Sequence, residues 1–199
     1  MGGTFDPIHN GHLFIAEEAR VRCRLDKVLF VPNNQPAHRQ RKVAESDVET
    51  RFELTALATQ NNPSFGVSRV EIERPGLSYA FDTLCELQIE YSKGELFWIV
   101  GADSISEVPT WYRGDELFSL CRFVAVSRPG FDLDIAARTL TKEQRKRVIW
   151  LESQGLEIAS RDLRERVRSG LPIRYLVPDE VERAVRERGL YRHNLEEES

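Results

Sequence analysis

Short apolar runs alternate with amphipathic stretches along most of the chain. Residues 27–31 (KVLFV) are mostly apolar and end at Pro32, residues 96–100 (LFWIV) stop at Gly101, and residues 122–126 (RFVAV) close shortly before Pro129-Gly130. Runs of about five residues bounded by glycine or proline have the length of buried strands. Residues 67–73 (VSRVEIE) alternate and stop just before Arg74-Pro75, which predicts a further strand, and residues 147–151 (RVIWL) predict another. Helical patterns lie between and after them, at 11–24, 47–60, 79–91, 113–120, 132–140, 161–168 and 180–188. Gly170 and Gly189 stand where glycine ends a helix. Strands alternating with helices predict an α/β fold, a doubly wound parallel sheet covered on both faces.

No composition shift or linker divides the 199 residues, so residues 1–193 are expected to form a single domain and 194–199 a disordered acidic tail. One feature breaks the rhythm. The opening Gly2-Gly3-Thr4-Phe5-Asp6-Pro7 reads as the loop that follows a first strand, yet only Met1 precedes it. Losing about five buried side chains from a central strand would cost roughly 8–15 kcal/mol, comparable to the stability of a whole domain. The expectation is a first strand truncated at the N-terminus, with a start site upstream of Met1.

Charge and composition narrow the partners. Lysine and arginine number 28 against 32 acidic residues, a net charge of −4. Proteins that hold long nucleic acid carry a basic excess, so nucleic acid is not expected, whereas a small anion needs only a local cluster of positive charge. No apolar run approaches the roughly 18 residues of a membrane span and no signal-peptide pattern opens the chain. Neither a membrane partner nor export is therefore expected, and the predicted location is cytoplasmic. Cys23, Cys85 and Cys121 are odd in number and widely spaced, which fits reduced packing residues rather than a disulfide framework or a zinc site. The oligomeric state is left open, a homo-oligomer included.

Two of the four histidines, His9 and His12, bracket Asn10-Gly11. As a metal pair they lack a convincing third ligand, and no metal site is assigned. Phosphate binding explains more of the segment. Glycines let backbone N–H groups approach an anion, a helix start adds its positive end, and imidazoles on the first turn donate to phosphate oxygens. The usual phosphate loops, G-x-G-x-x-G and G-x-x-x-x-G-K-[ST], are absent. Gly3-Thr4-Phe5-Asp6-Pro7-Ile8-His9-Asn10-Gly11-His12 instead resembles the opening signature of the H-x-G-H nucleotidyltransferases. That resemblance places Gly3, Thr4, Phe5 and Gly11 against ATP and His9 and His12 on the reacting phosphates.

A second segment, Ile158-Ala159-Ser160-Arg161-Asp162-Leu163-Arg164, partly resembles the superfamily's I-S-S-T-x-I-R, with Ala159 for a serine and Arg161 for the threonine. Read from its residues, Ser160 is a good N-cap. Arg161, Arg164 and Arg168 fall within about 60° of one another on a helix, with Leu163 and Val167 turned toward a core. Such a stripe suits the β- and γ-phosphates of ATP, although a solvated amphipathic helix explains the segment equally well by itself. The resemblance adds Ser160 and Arg161 to the ATP site and makes Arg164 the group that holds departing pyrophosphate.

Residues 31–39 (VPNNQPAHR), 73–84 (ERPGLSYAFDTL), 99–103 (IVGAD), 109–113 (PTWYR) and 127–130 (SRPG) are similar to segments of the bacterial nicotinate-mononucleotide adenylyltransferases. The likeness runs over nearly the whole chain and is weakest between 131 and 157. It implies that Asn33, His38, Arg39, Ala80, Trp111, Tyr112 and Arg128 bind the mononucleotide, His38 and Arg39 at its phosphate. Trp111 would stack on the pyridine ring, and the backbone N–H groups of Ala80 and Tyr112 would receive the nicotinate carboxylate. Ala80 replaces the family's threonine. Asp103 would hold the ATP ribose. Taken alone, Trp111 reads equally well as a packing residue, Asp103 as a helix cap and His38-Arg39 as a basic loop.

The implied reaction is adenylyl transfer from ATP, with Mg²⁺ on its phosphates, to nicotinate mononucleotide. Because the second pKa of a phosphate monoester is about 6, the nucleophile is ionised at neutral pH and no general base is assigned. The alternatives are a superfamily member acting on nicotinamide mononucleotide or phosphopantetheine, a non-catalytic nucleotide-binding module, and a synthetase-like RNA-binding protein.

Overall fold

The structure, a computed structural model, describes residues 1–36, 44–127 and 133–192. Its strands are β1 (Gly2–Gly3), β2 (Val28–Pro32), β3 (Gln35–Pro36), β4 (Phe65–Val67), β5 (Leu77–Ser78), β6 (Phe97–Gly101), β7 (Arg122–Ser127) and β8 (Val148–Glu152). The helices are α1 (Asn10–Arg22), α2 (Val48–Thr59), α3 (Val70–Glu73), α4 (Ala80–Glu90), α5 (Ala102–Ile105), α6 (Gly114–Leu120), α7 (Leu133–Arg138), α8 (Lys142–Lys146), α9 (Ser160–Arg168) and α10 (Asp179–Glu187), with one 3₁₀ turn at Val108–Thr110.

Among the described residues all strand pairings are parallel, and they form two three-stranded sheets, β1-β2-β4 and β6-β7-β8, beside a two-residue pairing of β3 with β5. Successive side chains of a strand point to opposite faces, and β7 shows the consequence. Phe123 and Ala125 enter one core with Leu84 of α4, Ile105 of α5 and Leu117 of α6. Val124 and Val126 enter the other with Ala16 of α1, Leu54 of α2, Leu163 of α9 and Val181 of α10. Helices thus cover both faces, the doubly wound arrangement that the alternation of elements predicts.

β1 is as short as the sequence suggests. Its backbone lies along β2, with the terminal amine donating to the Leu29 carbonyl (2.8 Å), Val31 N–H to Met1 O (2.9 Å) and Asn33 N–H to Gly3 O (3.0 Å). A Cβ on Gly2 would stand 3.1 Å from the Trp98 ring, so β1 abuts β6 and the two sheets sit side by side.

Other differences have local causes. Of the strand predicted at 67–73, only Val67 lies in a strand, and Val70–Glu73 form a helical turn. The Glu71 carboxylate is buried there and accepts from the Thr83 hydroxyl at 2.7 Å, so a tertiary contact with α4 overrides the alternating pattern. The turns α5 and α8 and the β3–β5 pairing are too short to leave a periodic signature. Cys23 and Cys85 are half-buried, Cys121 is buried, and all three are free thiols; burial pushes the Cys121 thiol up to about 12. Among the described residues no helix is long and apolar enough to cross a membrane.

Candidate active site

The chain leaves β1 through a loop that its own side chains fix. Phe5 adopts φ = 51° and is buried, with its ring edge-on to both His12 and Phe30. His9 caps α1 in an extended conformation, and its ring stacks on that of His12 at 3.6 Å between centroids. The His9 N–H donates to His12 Nδ1 at 3.3 Å. With Nδ1 occupied as an acceptor, a neutral His12 carries its proton on Nε2, which is then available as a donor. Burial holds His9 down at about 4, and burial together with the neighbouring His9 holds His12 well below the ordinary imidazole value. Both rings are therefore neutral at pH 7 before an anion binds. Gly11 is required by closeness: a Cβ there would lie 3.0 Å from His9 Nδ1 and 3.2 Å from the Leu156 carbonyl.

The loop after β8 and the start of α9 close onto this loop from the other side. Ser160 is the first residue of α9, the cap being Ala159 with no side-chain bond, so the N-cap expected of Ser160 is not formed. Its hydroxyl instead donates to the Pro7 carbonyl at 2.9 Å, 153 residues away in sequence. Arg164 Nη1 donates to the Asp6 carbonyl at 2.7 Å. The three arginines do not act as one stripe. Arg164 and Arg168 both grip the Glu45 carboxylate, Arg164 at 2.7 Å, whereas Arg161 is solvent-exposed beside Asp162. Burial alone would raise the Glu45 carboxyl, but hydrogen bonds from Arg168 and Arg164 outweigh it and hold the group below its ordinary value.

A second set of groups follows the carboxyl ends of β2, β5 and β6. Asn33 follows β2 and donates to the Thr4 hydroxyl (3.2 Å), and Asn34 N–H donates to Ser78 Oγ (3.1 Å). Ala80 opens α4, whose N-cap Tyr79 provides no capping bond, which leaves a helix start suited to a carboxylate. Tyr112 lies over this start: its ring is 4.6 Å from that of Tyr79 and edge-on to Phe81. Trp111 is half-buried against the α4–α6 core. The tight approach of this segment depends on Gly114, where a Cβ would stand 2.1 Å from the Val108 carbonyl. Asp103 lies within α5, not at its cap, just beyond β6, and is exposed. His38, Arg39 and Arg128 lie outside the described residues, as do Asn194 to Ser199.

Three buried polar side-chain atoms have no hydrogen-bond partner among the described residues: His9 Nδ1, Asn33 Oδ1 and Ser127 Oγ. All three follow or end a parallel strand at its carboxyl end, where ligands of open α/β sheets bind. No three His, Cys, Asp or Glu side chains gather as metal ligands among the described residues. The sequence did not single out Asp6, Glu45, Ser127 or Tyr191. Asp6 sits inside the opening signature and Ser127 opens the segment 127–130, so both had a signal; Glu45 and Tyr191 act through contacts that no local pattern announces.

Comparison with known proteins gives four further findings. Residues 1–166 match the model of the cytidylyltransferase-like family. A protein of Moorella thermoacetica named "Probable nicotinate-nucleotide adenylyltransferase" is 46% identical over 98% of this chain and 92% of its own length. A protein of the same name from Frankia alni is 48% identical over 96% of this chain and 98% of its own. Among solved structures, the nicotinic acid mononucleotide adenylyltransferase of Plasmodium falciparum complexed with NaAD superimposes with a TM-score of 0.74 at 16% identity, covering 96% of this chain and 94% of that one.

Proposed function

The chain belongs to the cytidylyltransferase-like family and, within it, to the nicotinate-nucleotide adenylyltransferases; on that premise we propose that it transfers the adenylyl group of ATP to nicotinate mononucleotide. The products are nicotinate adenine dinucleotide and pyrophosphate, a step of NAD biosynthesis. The observation that carries the residue assignment is the clasp between the two signatures, Ser160 on Pro7 and Arg164 on Asp6, around two neutral imidazoles.

In the proposed reaction an oxygen of the mononucleotide phosphate attacks the α-phosphorus of ATP, and the bond to the bridging oxygen of the β-phosphate breaks. Both partners are anionic, so alignment and stabilisation of charge on the leaving oxygen are the chain's main contributions. His12 Nε2–H and His9 donate to the reacting phosphates as neutral imidazoles. Arg164 holds the departing pyrophosphate once Glu45 is displaced. Gly3, Thr4, Phe5, Gly11 and Ser160 shape the ATP site, with Asp103 at the ribose and Arg161 at its solvent edge. Trp111 faces the pyridine ring, and the N–H groups of Ala80 and Tyr112 receive the carboxylate. An amide would set its NH₂ against those donors, which disfavours the nicotinamide nucleotide. Asn33, His38, Arg39 and Arg128 complete the mononucleotide site.

Imidazole and guanidinium suit phosphate oxygens, while Mg²⁺ takes oxygen ligands. We therefore assign Mg²⁺ to the co-substrate, carried on ATP oxygens and water. Residues 1–193 are read as one catalytic domain working in the cytoplasm.

The test is pyrophosphate release from MgATP with nicotinate mononucleotide, nicotinamide mononucleotide or no acceptor. Strong preference for the acid is expected. Preference for the amide would overturn the carboxylate pocket, and no release with either acceptor from folded protein would overturn adenylyl transfer itself.

A further inference from the structure

Asp6 is the point at which three distant segments meet the phosphate loop. One carboxylate oxygen, Oδ1, accepts from the Tyr191 hydroxyl at 2.7 Å, a contact across 185 residues. The other, Oδ2, accepts from the backbone N–H of Glu45 at 2.7 Å and of Ser46 at 3.5 Å, just ahead of α2. The Asp6 carbonyl receives Arg164 from α9. Arg51, almost wholly buried, braces the same loop from α2 by donating to the Thr4 carbonyl at 2.7 Å and the Ser46 carbonyl at 3.3 Å.

Tyr191 is itself held under constraint. It follows α10 and Gly189, is buried, and adopts φ = 61°, a left-handed conformation that is costly for a residue with a large side chain. That conformation brings the ring into the α1–α2–α10 core and its hydroxyl to the Asp6 carboxylate. Burial, reinforced by the adjacent Asp6 charge, pushes the phenol well above its usual value, so it remains a donor at any physiological pH.

We propose that Tyr191 is a positioning residue for the phosphate site, acting through Asp6 to set the guanidinium of Arg164. Its hydroxyl fixes the rotation of the Asp6 side chain, and that carboxylate orders the Glu45–Ser46 backbone. The Asp6 carbonyl thereby stays directed at Arg164. The C-terminal segment, remote in sequence from both signatures, so tunes the arginine that meets the polyphosphate. The proposal rests on the adenylyl-transfer reading in one respect, the assignment of Arg164 to ATP phosphates.

The test is a double-mutant cycle on ATP affinity, by calorimetry without acceptor, for the wild type, Tyr191→Phe, Arg164→Ala and the double variant, each with its thermal melt. Tyr191→Phe is expected to weaken ATP binding about fivefold when Arg164 is present and less than about twofold in the Arg164→Ala background, a coupling typical of groups in one network. Equal weakening in both backgrounds, or none in either, would overturn the positioning role. Should Tyr191→Phe melt below the assay temperature, replacing Tyr191 by para-aminophenylalanine, which keeps a donor at the end of the ring, decides the matter. Wild-type ATP affinity from that protein is expected, and weak binding from it, folded, would overturn the proposal. A folded wild type that binds no ATP would instead overturn the adenylyl-transfer reading and remove the proposal's footing.

Discussion

The two halves that meet at the phosphate site are held in opposite ways. In the opening loop Phe5 to His9 are buried, and the two histidines are stacked and neutral. The start of α9 lies nearer the surface, and its functional charges are occupied: Arg164 and Arg168 hold Glu45. A preorganised neutral donor costs little to desolvate and is already aimed when the reaction begins. A paired guanidinium must first exchange one anion for another. The loop should therefore govern turnover, and α9 should govern affinity and release.

The largest effect expected from this contrast is at His12. His12→Ala should lower kcat by about 10²–10³-fold, the cost of one donor to developing charge, while KM for ATP changes less than about threefold. Steady-state kinetics would settle it, and equal losses in kcat and affinity would erase the distinction between the halves.

Next comes pH. The ordinary imidazole value is 6.5, and His9 is held at about 4 in the fold. Between those values the unfolded chain binds the proton that the folded chain refuses, so stability falls as pH drops from 6.5 to about 4 and is unaffected by His9 above 6.5. The loss is about 3 kcal/mol at most. His12 acts in the same direction. Urea titrations at pH 7 and pH 4.5 should show this loss in the wild type and a shallower one in His9→Gln; identical losses would remove the neutral-imidazole picture of the loop.

A smaller effect separates the arginines. Arg164→Ala should weaken ATP about tenfold, as expected for loss of a charge-assisted bond, and Arg161→Ala less than twofold, as expected for an exposed side chain. Reversal of that order in direct binding would show that α9 turns when nucleotide arrives. The smallest change is at Glu45. Glu45→Gln should lower KM for ATP about threefold by weakening the carboxylate that occupies Arg164 and Arg168; an unchanged or higher KM would mean that Glu45 supports the ATP-binding geometry instead of competing with it.

The same contrast explains what the sequence made legible. The opening loop works through contacts between near neighbours, His9 with His12 and Gly11 with His9, so residue types at fixed spacing suffice to reveal it. The parallel strands of the second sheet are continuous apolar runs and were equally plain. Residues 67–73 misled because a buried carboxylate on α4's hydroxyl, not the alternation, decides their conformation. Ser160 has the right type for a cap but is taken by Pro7 across the site. Glu45 and Tyr191 reach the site across 119 and 185 residues, and a distance of that order leaves no trace in local pattern.

The most direct measurement follows the oxygen. Nicotinate mononucleotide carrying ¹⁸O on its phosphate would be turned over with unlabelled MgATP, and both products examined by ³¹P NMR and mass spectrometry. Attack by the mononucleotide on the α-phosphorus places ¹⁸O in the bridge of the dinucleotide and leaves the released pyrophosphate unlabelled. Labelled pyrophosphate, or a dinucleotide without ¹⁸O in its bridge, would contradict the reaction assigned to this site.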